Sequence, residues 1–431
     1  MTHQAGPSHG IRGGVGTRRF AWLMGGGGGG SLSGRQNSFG AIRTALAVLV
    51  VYSHAYPLGF GRPAPLSHFS GGQIDLGRLA VVGFFALSGF MITGSALRST
   101  IGRYSWHRAL RILPGLWASL LVCVLLVAPA LYYRTHHSLT GYWSHPHGPL
   151  NYLAGAWNAS LSTGFDISNV IDDGMKAGTN HDPGINGSLW SLDYEMLCYV
   201  MMGLLAAGGV LLRAKKTVPL LTLVGWILIF EDWRTTPGFV NNPHSMGFYI
   251  HVPVFGQVYT QYFVYLAFVF LLGATVQLYK ERIPINAGLA LLSVVVLVAS
   301  LRYGGLFAFG YPAFAYLLFW LAVRLPRPFQ RIGVKRDFSY GIYVYGFTVE
   351  QAVAALGGNT HGMKVYLPLS LGGTVVLAAL SWYLVEKPAL KAKDWTPRPV
   401  RALAERRART VVVPVSAEQA GEPARSAVPA P

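Results

Sequence analysis

The sequence predicts an all-α integral membrane protein, a bundle of about ten transmembrane helices with both termini in the cytoplasm. Three observations predict it: the composition, a series of apolar segments, and the placement of the basic residues. Of the 431 residues, 52% are hydrophobic and only 12% are charged, and the mean hydropathy is +0.38. A soluble globular protein carries about 25% charged residues, so a water-soluble enzyme is disfavoured. Two cysteines in the whole chain exclude a disulfide scaffold.

Ten apolar segments approach or reach the length of about 20 residues that a bilayer crossing requires. They lie near 40–60, 76–97, 112–132, 189–211, 217–231, 254–279, 285–301, 303–323, 338–356 and 366–386. The flanking regions are different: 1–38 is rich in Gly, Ser and Arg, and 391–431 in Ala, Pro, Arg and Glu. We expect two disordered tails, 1–38 and 391–431, around one transmembrane domain at 39–390.

The basic residues indicate the orientation. With a cytoplasmic N-terminus and ten crossings, 28 of the 35 Lys and Arg residues fall on the cytoplasmic side. This asymmetry is what the positive-inside rule requires, and an odd number of crossings would break it. The formal net charge of +18 is therefore explained by a lipid bilayer as the partner, without nucleic acid. We expect a multi-pass protein of the cell membrane.

The first segment contains two ionisable residues, Arg43 near its cytoplasmic end and His54 near its outer end. Their spacing is close to three helical turns, so both project from one face, about 16 Å apart. Ionisable groups are expensive inside a membrane and are functional candidates by default. The alternatives are that Arg43 is a topology anchor and that His54 is a hydrogen-bonded core histidine.

The fourth segment contains Glu195, about as far from its outer end as His54 is from the outer end of the first segment. Equal depth predicts a His–carboxylate pair, which would fix one imidazole tautomer and raise the basicity of the ring. Asp193, two residues earlier, cannot share that helix face. The alternative is that Glu195 pairs with an arginine.

Three arginines form a cationic cluster in the cytoplasmic connection after the second segment: Arg103, Arg108 and Arg111. Arg108 and Arg111 are neighbours on a helix. Arginine clusters bind phosphate through paired hydrogen bonds, although basic cytoplasmic connections are also ordinary topology signals.

The longest connection, 133–188, lies on the outer side and holds aromatic residues, several histidines and four aspartates, Asp166, Asp172, Asp173 and Asp182. Connections of this length are usually functional or disordered, and this one either contacts a substrate or packs as a lid without touching it. The histidines lack zinc-type spacing, and we expect no bound metal. The chain also lacks a Walker loop, a dinucleotide fingerprint and a G-x-S-x-G motif.

Six short motifs follow one another in order along the chain. The first is Arg43, ten residues, then His54; the others are FFALSGFMIT at 84–93, HRALRILP at 107–114, SLWSLDYEMLCY at 188–199, DFSYGIYVYGF at 337–347 and YLVEKPAL at 383–390. In this combination, over about residues 38–390, the chain resembles the acyltransferase-3 family of integral membrane acyltransferases. That family includes bacterial O-acetylases of surface polysaccharides.

The resemblance implies transfer of an acyl group, an acetyl group above all, from cytoplasmic acyl-CoA to a hydroxyl of a glycan or glycosylated acceptor. His54 is then the general base, supported by Glu195, or it carries the acyl group as a covalent intermediate. The acyl-CoA is a substrate, bound by Arg43, Arg108 and Arg111, and no permanently bound cofactor is expected. Four residues in or beside the motifs are expected to contact substrate: Ser88, Asn186, Trp190 and Tyr343.

One departure from the family pattern concerns Gly346, because many members carry a histidine there; this places more weight on His54. The main rival function is a transporter or exporter of a glycan or small solute, which would use the same buried Arg, His and Glu as a polar pathway. The lack of an internal repeat in the sequence counts against it. A non-catalytic membrane protein, in which the buried charges only fix helix registry, is the weaker rival.

Overall fold

The computed structural model describes residue 32 and residues 37–158, 166–171, 184–235 and 247–395, and it is mostly helical. Its α-helices are α1 Phe39–Phe60, α2 Leu76–Ala96, α3 Ile101–Val122, α4 Ala128–His136, α5 Pro149–Ala156, α6 Trp190–Ala207, α7 Val210–Arg213, α8 Thr217–Thr235, α9 Thr260–Tyr279, α10 Ala287–Tyr303, α11 Tyr311–Arg324, α12 Ser339–Ala355, α13 Met363–Ser381 and α14 Lys387–Lys391. Three short segments are π-helical. Cys123–Val127 joins α3 to α4, Leu306–Gly310 leads into α11, and Trp382–Glu386 joins α13 to α14. Strands β1 Tyr249–Val252 and β2 Gly256–Tyr259 form an antiparallel hairpin.

The chain is a membrane protein by the length and apolarity of its helices. Within the described residues, six helical stretches are long and apolar enough to cross a bilayer: Phe39–Phe60, Leu76–Ala96, Ile101–His136, Thr260–Tyr279, Leu306–Arg324 and Met363–Asp394. All ten predicted segments overlap helices, but four of those helices, α6, α8, α10 and α12, are not among the six, and α10 and α12 have only 17 residues each. Ten crossings with cytoplasmic termini therefore stay a prediction.

The first residues of the predicted C-terminal tail are part of the folded structure. Residues 391–395, assigned from composition to a disordered tail, complete α14, form a 3-10 turn at Ala392–Asp394 and pack on α3. They are held there because Trp106 and Arg103 of α3 bind them. The rest of that tail and nearly all of 1–38 lie outside the described residues, as do Asp172, Asp173 and Asp182 of the outer connection.

Helix α2 is the centre of the bundle, and it crosses α9 through glycines. A Cβ at Gly89 would collide with the carbonyl oxygen of Phe270, and a Cβ at Gly273 with that of Ala86. Small residues at such a crossing let the two backbones approach closely. On its other side α2 packs on α1, and α1 packs on α12.

The register of α1 against α2 is set at the start of α2. Asp75 caps this helix, its Oδ1 accepting from the backbone N–H of Arg78 at 2.8 Å. The N–H of Gly77 donates to Ser53 Oγ at 2.9 Å, which places the outer end of α2 level with the residue before His54. On α12, a Cβ at Gly346 would lie 2.6 Å from Val51 Cγ2. The packing of α1 on α12 therefore leaves no room for a larger side chain at position 346 in this structure.

Candidate active site

A cavity of about 290 Å³ lies among α1, α2, α3, α6 and α12. Basic side chains line the end that is cytoplasmic in the predicted topology: Arg43, His107, Arg108, Arg111 and Lys393. Polar side chains line its middle, among them Ser88, Ser191, Glu195 and Tyr343, and Val81 and Phe84 lie toward the outer end. The structure thus brings six of the predicted site residues to one cavity, namely Arg43, Ser88, Arg108, Arg111, Glu195 and Tyr343.

Two of the predicted donor-binding arginines are already neutralised by acids. Asp337 Oδ2 accepts from Arg43 at 2.8 Å and from Arg111 at 2.7 Å, and Arg111 lies 3.6 Å from Glu386. Asp337 Oδ1 accepts from the backbone and hydroxyl of Ser339 at the start of α12. Burial works to raise the pKa of Asp337, but the two arginines and Ser339 outweigh it and lower that pKa to about 2. These bonds tie α1, α3 and α12 together at the inner end of the cavity.

Arg108 carries the charge that is free to meet a ligand. Within the described residues it forms no ion pair, its Nε has no hydrogen-bond partner, and its guanidinium lies 6.0 Å from the Tyr199 ring centroid. An unpaired guanidinium facing a cavity is a binding group for phosphate or carboxylate.

The C-terminal strap, residues 387–395, closes over the start of α3 at the mouth of the cavity. Asp394 pairs with Arg103 at 2.6 Å, Trp106 donates to the carbonyl of Ala392 at 2.9 Å, and the rings of Trp106 and Trp395 lie 5.8 Å apart. This docking brings Lys393 into the cavity lining. Lys393 was not among the predicted site residues, because the composition of residues 391–431 predicts a disordered tail.

Glu195 is held within the cavity by hydroxyl groups. Its Oε1 accepts from Ser88 at 2.9 Å and from Tyr199 at 2.6 Å. Neither the predicted pair with His54 nor the alternative pair with an arginine is formed among the described residues.

Glu195 and His54 do not pair because they lie at different depths in the helix bundle. Glu195 is level with Ser88 of α2, whereas the neighbour of His54, Ser53, is level with Gly77. At about 1.5 Å per residue these two levels of α2 are about 16 Å apart. The cause is that α6 begins deeper in the bundle than its apolar segment suggested.

His54 instead faces Glu350 of α12. Its Nδ1 lies 3.9 Å from Glu350 Oε2, and its ring packs edge-on against Phe347 with centroids 5.3 Å apart. Glu350 is fully buried, and neither of its carboxylate oxygens has a hydrogen-bond partner among the described residues. The sequence analysis missed Glu350, although an ionisable residue in an apolar segment is the same signal that selected His54.

His54 lies outside the lining of the large cavity, about one helical turn beyond it. On α12 the cavity ends at Tyr343, four residues before Phe347, and on α2 it ends at Val81, four residues from Gly77. Each interval is about 6 Å along a helix. The rings of Phe84 and Tyr343, 5.8 Å apart, separate the cavity from the level of His54.

The other predicted substrate contacts differ in placement. Tyr343 lines the cavity, but its hydroxyl donates to the carbonyl of Ser188 at 2.8 Å. Asn186 is fully buried and uses its amide on the carbonyl of Val344 and the hydroxyl of Ser188, so it joins the start of α6 to α12. Trp190 lines a second, smaller pocket.

Comparisons with known proteins identify the family of this chain. The family model described as an acyltransferase domain, that of the acyltransferase-3 family, matches residues 36–386. The chain is 30% identical over 365 residues to an O-acetyl transferase of Shigella phage Sf6, covering 82% of this chain and 96% of that protein. It is 26% identical over 397 residues to nodulation protein 10 of Rhizobium leguminosarum bv. viciae, covering 84% and 95%. No solved structure gives a significant match. The chain belongs to the acyltransferase-3 family and is an O-acyltransferase.

Proposed function

We propose that the protein moves an acyl group, an acetyl group above all, from cytoplasmic acyl-CoA to a hydroxyl of a glycan or glycosylated acceptor at the outer face of the cell membrane. In this proposal ten helices cross the bilayer and both termini are cytoplasmic. The observation that carries it is a cavity with an unpaired arginine at its inner end and a His–Glu pair about one turn beyond its outer end.

The donor enters at the basic end. Because Asp337 and Glu386 offset the charges of Arg43 and Arg111, the excess positive charge at the mouth comes from Arg108 and Lys393. These two bind the phosphates of acyl-CoA. Arg43 and Arg111 shape the wall with their remaining N–H groups.

The length of the cavity suits the cofactor arm. Its α2 wall runs from Ile92 to Val81, about 16 Å at about 1.5 Å per residue. The pantetheine arm of CoA reaches on the order of 15–20 Å when extended. With the phosphates at Arg108, the thioester lies near Val81 and Phe84, below His54.

Glu195 contacts the pantetheine arm of CoA rather than the catalytic base, His54. It lies halfway along the passage with one carboxylate oxygen held by Ser88 and Tyr199. A fixed carboxylate at this level accepts an amide N–H of pantetheine, which sets the depth of the thioester.

His54 performs the proton transfer. It takes the proton of the acceptor hydroxyl while the hydroxyl oxygen attacks the thioester carbonyl carbon. The C–S bond then breaks, and CoA leaves as the thiolate and is protonated from the imidazolium. Glu350 stabilises the imidazolium and orients the ring, as a buried carboxylate does for a catalytic histidine. Formation of an acyl-histidine first is the alternative route.

The test is transfer of labelled acetyl from acetyl-CoA by the protein in nanodiscs, with a membrane glycan fraction of the source cell as acceptor. We expect His54→Ala to abolish transfer while an exposed histidine variant, His68→Ala, transfers at the wild-type rate. Near-normal transfer by a folded His54→Ala protein would refute the assignment of the base. A wild-type protein that moves a glycan across vesicles without labelling it would favour the transporter.

A further inference from the structure

A second pocket lies at the outer ends of α2, α6 and α9 and at the start of α11. It measures about 40 Å³ and is lined by aromatic residues together with Gln73, Arg78, Val81 and Gln261. The aromatic residues are Trp190, Tyr262, Tyr265, Phe307 and Tyr311. Val81 borders both this outer pocket and the large cavity, so the two spaces lie one after the other along α2.

The aromatic walls of the outer pocket are fixed by their own packing. Trp190 and Tyr262 have ring centroids 5.3 Å apart, and the Tyr265 and Phe307 rings stack at 4.8 Å. The Tyr265 hydroxyl donates to Asp232 at 2.7 Å, and Tyr311 packs edge-on against Phe307. A pocket of rigid rings presents flat apolar faces that need no reorganisation to meet a ligand.

Two largely buried polar side chains face the outer pocket. Gln261 is only 2% exposed and Tyr311 only 4%, both line the pocket, and no hydrogen bond of either side chain is formed among the described residues. Gln73, in the same wall, has a structural role. Its Nε2 donates hydrogen bonds to three backbone carbonyls, and its Oε1 accepts one from the N–H of Leu306. Buried polar groups are ordinarily satisfied, so Gln261 and Tyr311 point to a polar ligand.

The outer pocket lies on the acceptor side of His54. Arg78, in its wall, follows Gly77, whose N–H donates at 2.9 Å to Ser53 Oγ, the residue before His54. A ligand seated in the pocket can therefore extend a hydroxyl toward the His54–Glu350 pair.

We propose that the outer pocket is the acceptor subsite and takes one edge of a single hexopyranose ring. The axial C–H groups of the sugar pack on Trp190 and Tyr262, and its hydroxyls bond the Gln261 amide and the Tyr311 hydroxyl. An aliphatic chain would fill the aromatic walls but leave both polar groups without a hydrogen bond from the ligand. The inference rests on the proposed function and assigns the sugar to this pocket rather than to the outer connection 133–188.

The experiment measures binding without chemistry. Saturation-transfer-difference NMR on the full chain in nanodiscs uses a panel of methyl hexopyranosides as probes. We expect at least one to bind the wild type, and Gln261→Leu to weaken its affinity about fivefold, the effect of one neutral hydrogen bond. Trp190→Leu should reduce the signal further, whereas Tyr311→Phe, which loses only the hydroxyl, should resemble Gln261→Leu.

The matched control is Gln277→Leu, the same change at a buried position of α9 outside the outer pocket; it should bind like the wild type. The inference is overturned if no methyl hexopyranoside binds the wild type, or if Gln261→Leu and Gln277→Leu bind alike. Transfer of labelled acetyl by the wild type, measured separately, tests the proposed function. Failure of the acceptor-subsite inference can therefore be distinguished from failure of the proposed function.

Discussion

Replacing Glu350 by glutamine tests the His54–Glu350 pair most directly, because it removes the acidic group while keeping the shape of the side chain. At the observed separation of 3.9 Å, an imidazolium and a carboxylate attract by about 4 kcal/mol at an effective dielectric of about 20. His54 keeps a quarter of its side chain exposed, so solvent reduces this to about 2 to 4 kcal/mol. The rate of transfer should fall by a factor of about 30 to 1,000.

The assay is steady-state transfer of labelled acetyl in nanodiscs, with kcat and KM measured separately for acetyl-CoA. Because Glu350 lies beyond the donor cavity, Glu350→Gln should lower kcat and leave the KM for acetyl-CoA unchanged. The control is Glu281→Gln, the same chemical change at an exposed position between α9 and α10. A folded Glu350→Gln protein with kcat within threefold of the wild type would refute the role of Glu350.

Three further predictions concern the inner end of the cavity. Arg108→Ala should raise the KM for acetyl-CoA about tenfold, the effect of one lost charge-assisted hydrogen bond. The KM for S-acetylpantetheine, which lacks the nucleotide phosphates, should be unchanged. Equal effects on the two KM values would contradict phosphate binding by Arg108. Asp337 has a pKa of about 2 against an ordinary 3.8, so its ion pairs stabilise the fold fully above about pH 4, and this stabilisation is lost as the pH falls toward 2. Asp337→Asn should lower the free energy of unfolding at pH 7 by about 3 kcal/mol. Thermal unfolding at pH 7 and near pH 2 measures both effects, and an unchanged melting temperature of the variant at pH 7 would disprove the prediction. Lys393→Ala should raise the KM for acetyl-CoA while Lys391→Ala, on the same strap, leaves it unchanged; identical KM values for the two variants would remove Lys393 from the donor site.

Much of the fold was predictable because apolar runs report burial in lipid directly. All ten segments overlap helices, and the six motifs placed Arg43, Ser88, Arg108, Glu195 and Tyr343 around one cavity. The number of helices that cross the bilayer was less predictable. Length and hydropathy alone poorly distinguish helices such as α10 and α12 from buried helices that do not cross the bilayer.

The contacts between helices were not predictable from one sequence. Asp337 lies 294 residues from Arg43 and 226 from Arg111 along the chain, and no local pattern relates them. Glu350 carried a readable signal as an acid within an apolar segment, but its pairing with His54 depends on α1 packing against α12. Glu195 was assigned to His54 by counting from helix ends, and such counting fails when one helix begins deeper in the bundle than another.

Val81 borders both spaces, and the rings of Phe84 and Tyr343, which line the large cavity, lie between it and the level of His54. In the proposed topology one layer of apolar side chains therefore stands between cytoplasmic and external water. Protons and ions pay a large dehydration cost to cross such a layer. We therefore expect the resting protein to add no conductance to the membrane, so that an acyl group can be handed across while the transmembrane potential is preserved.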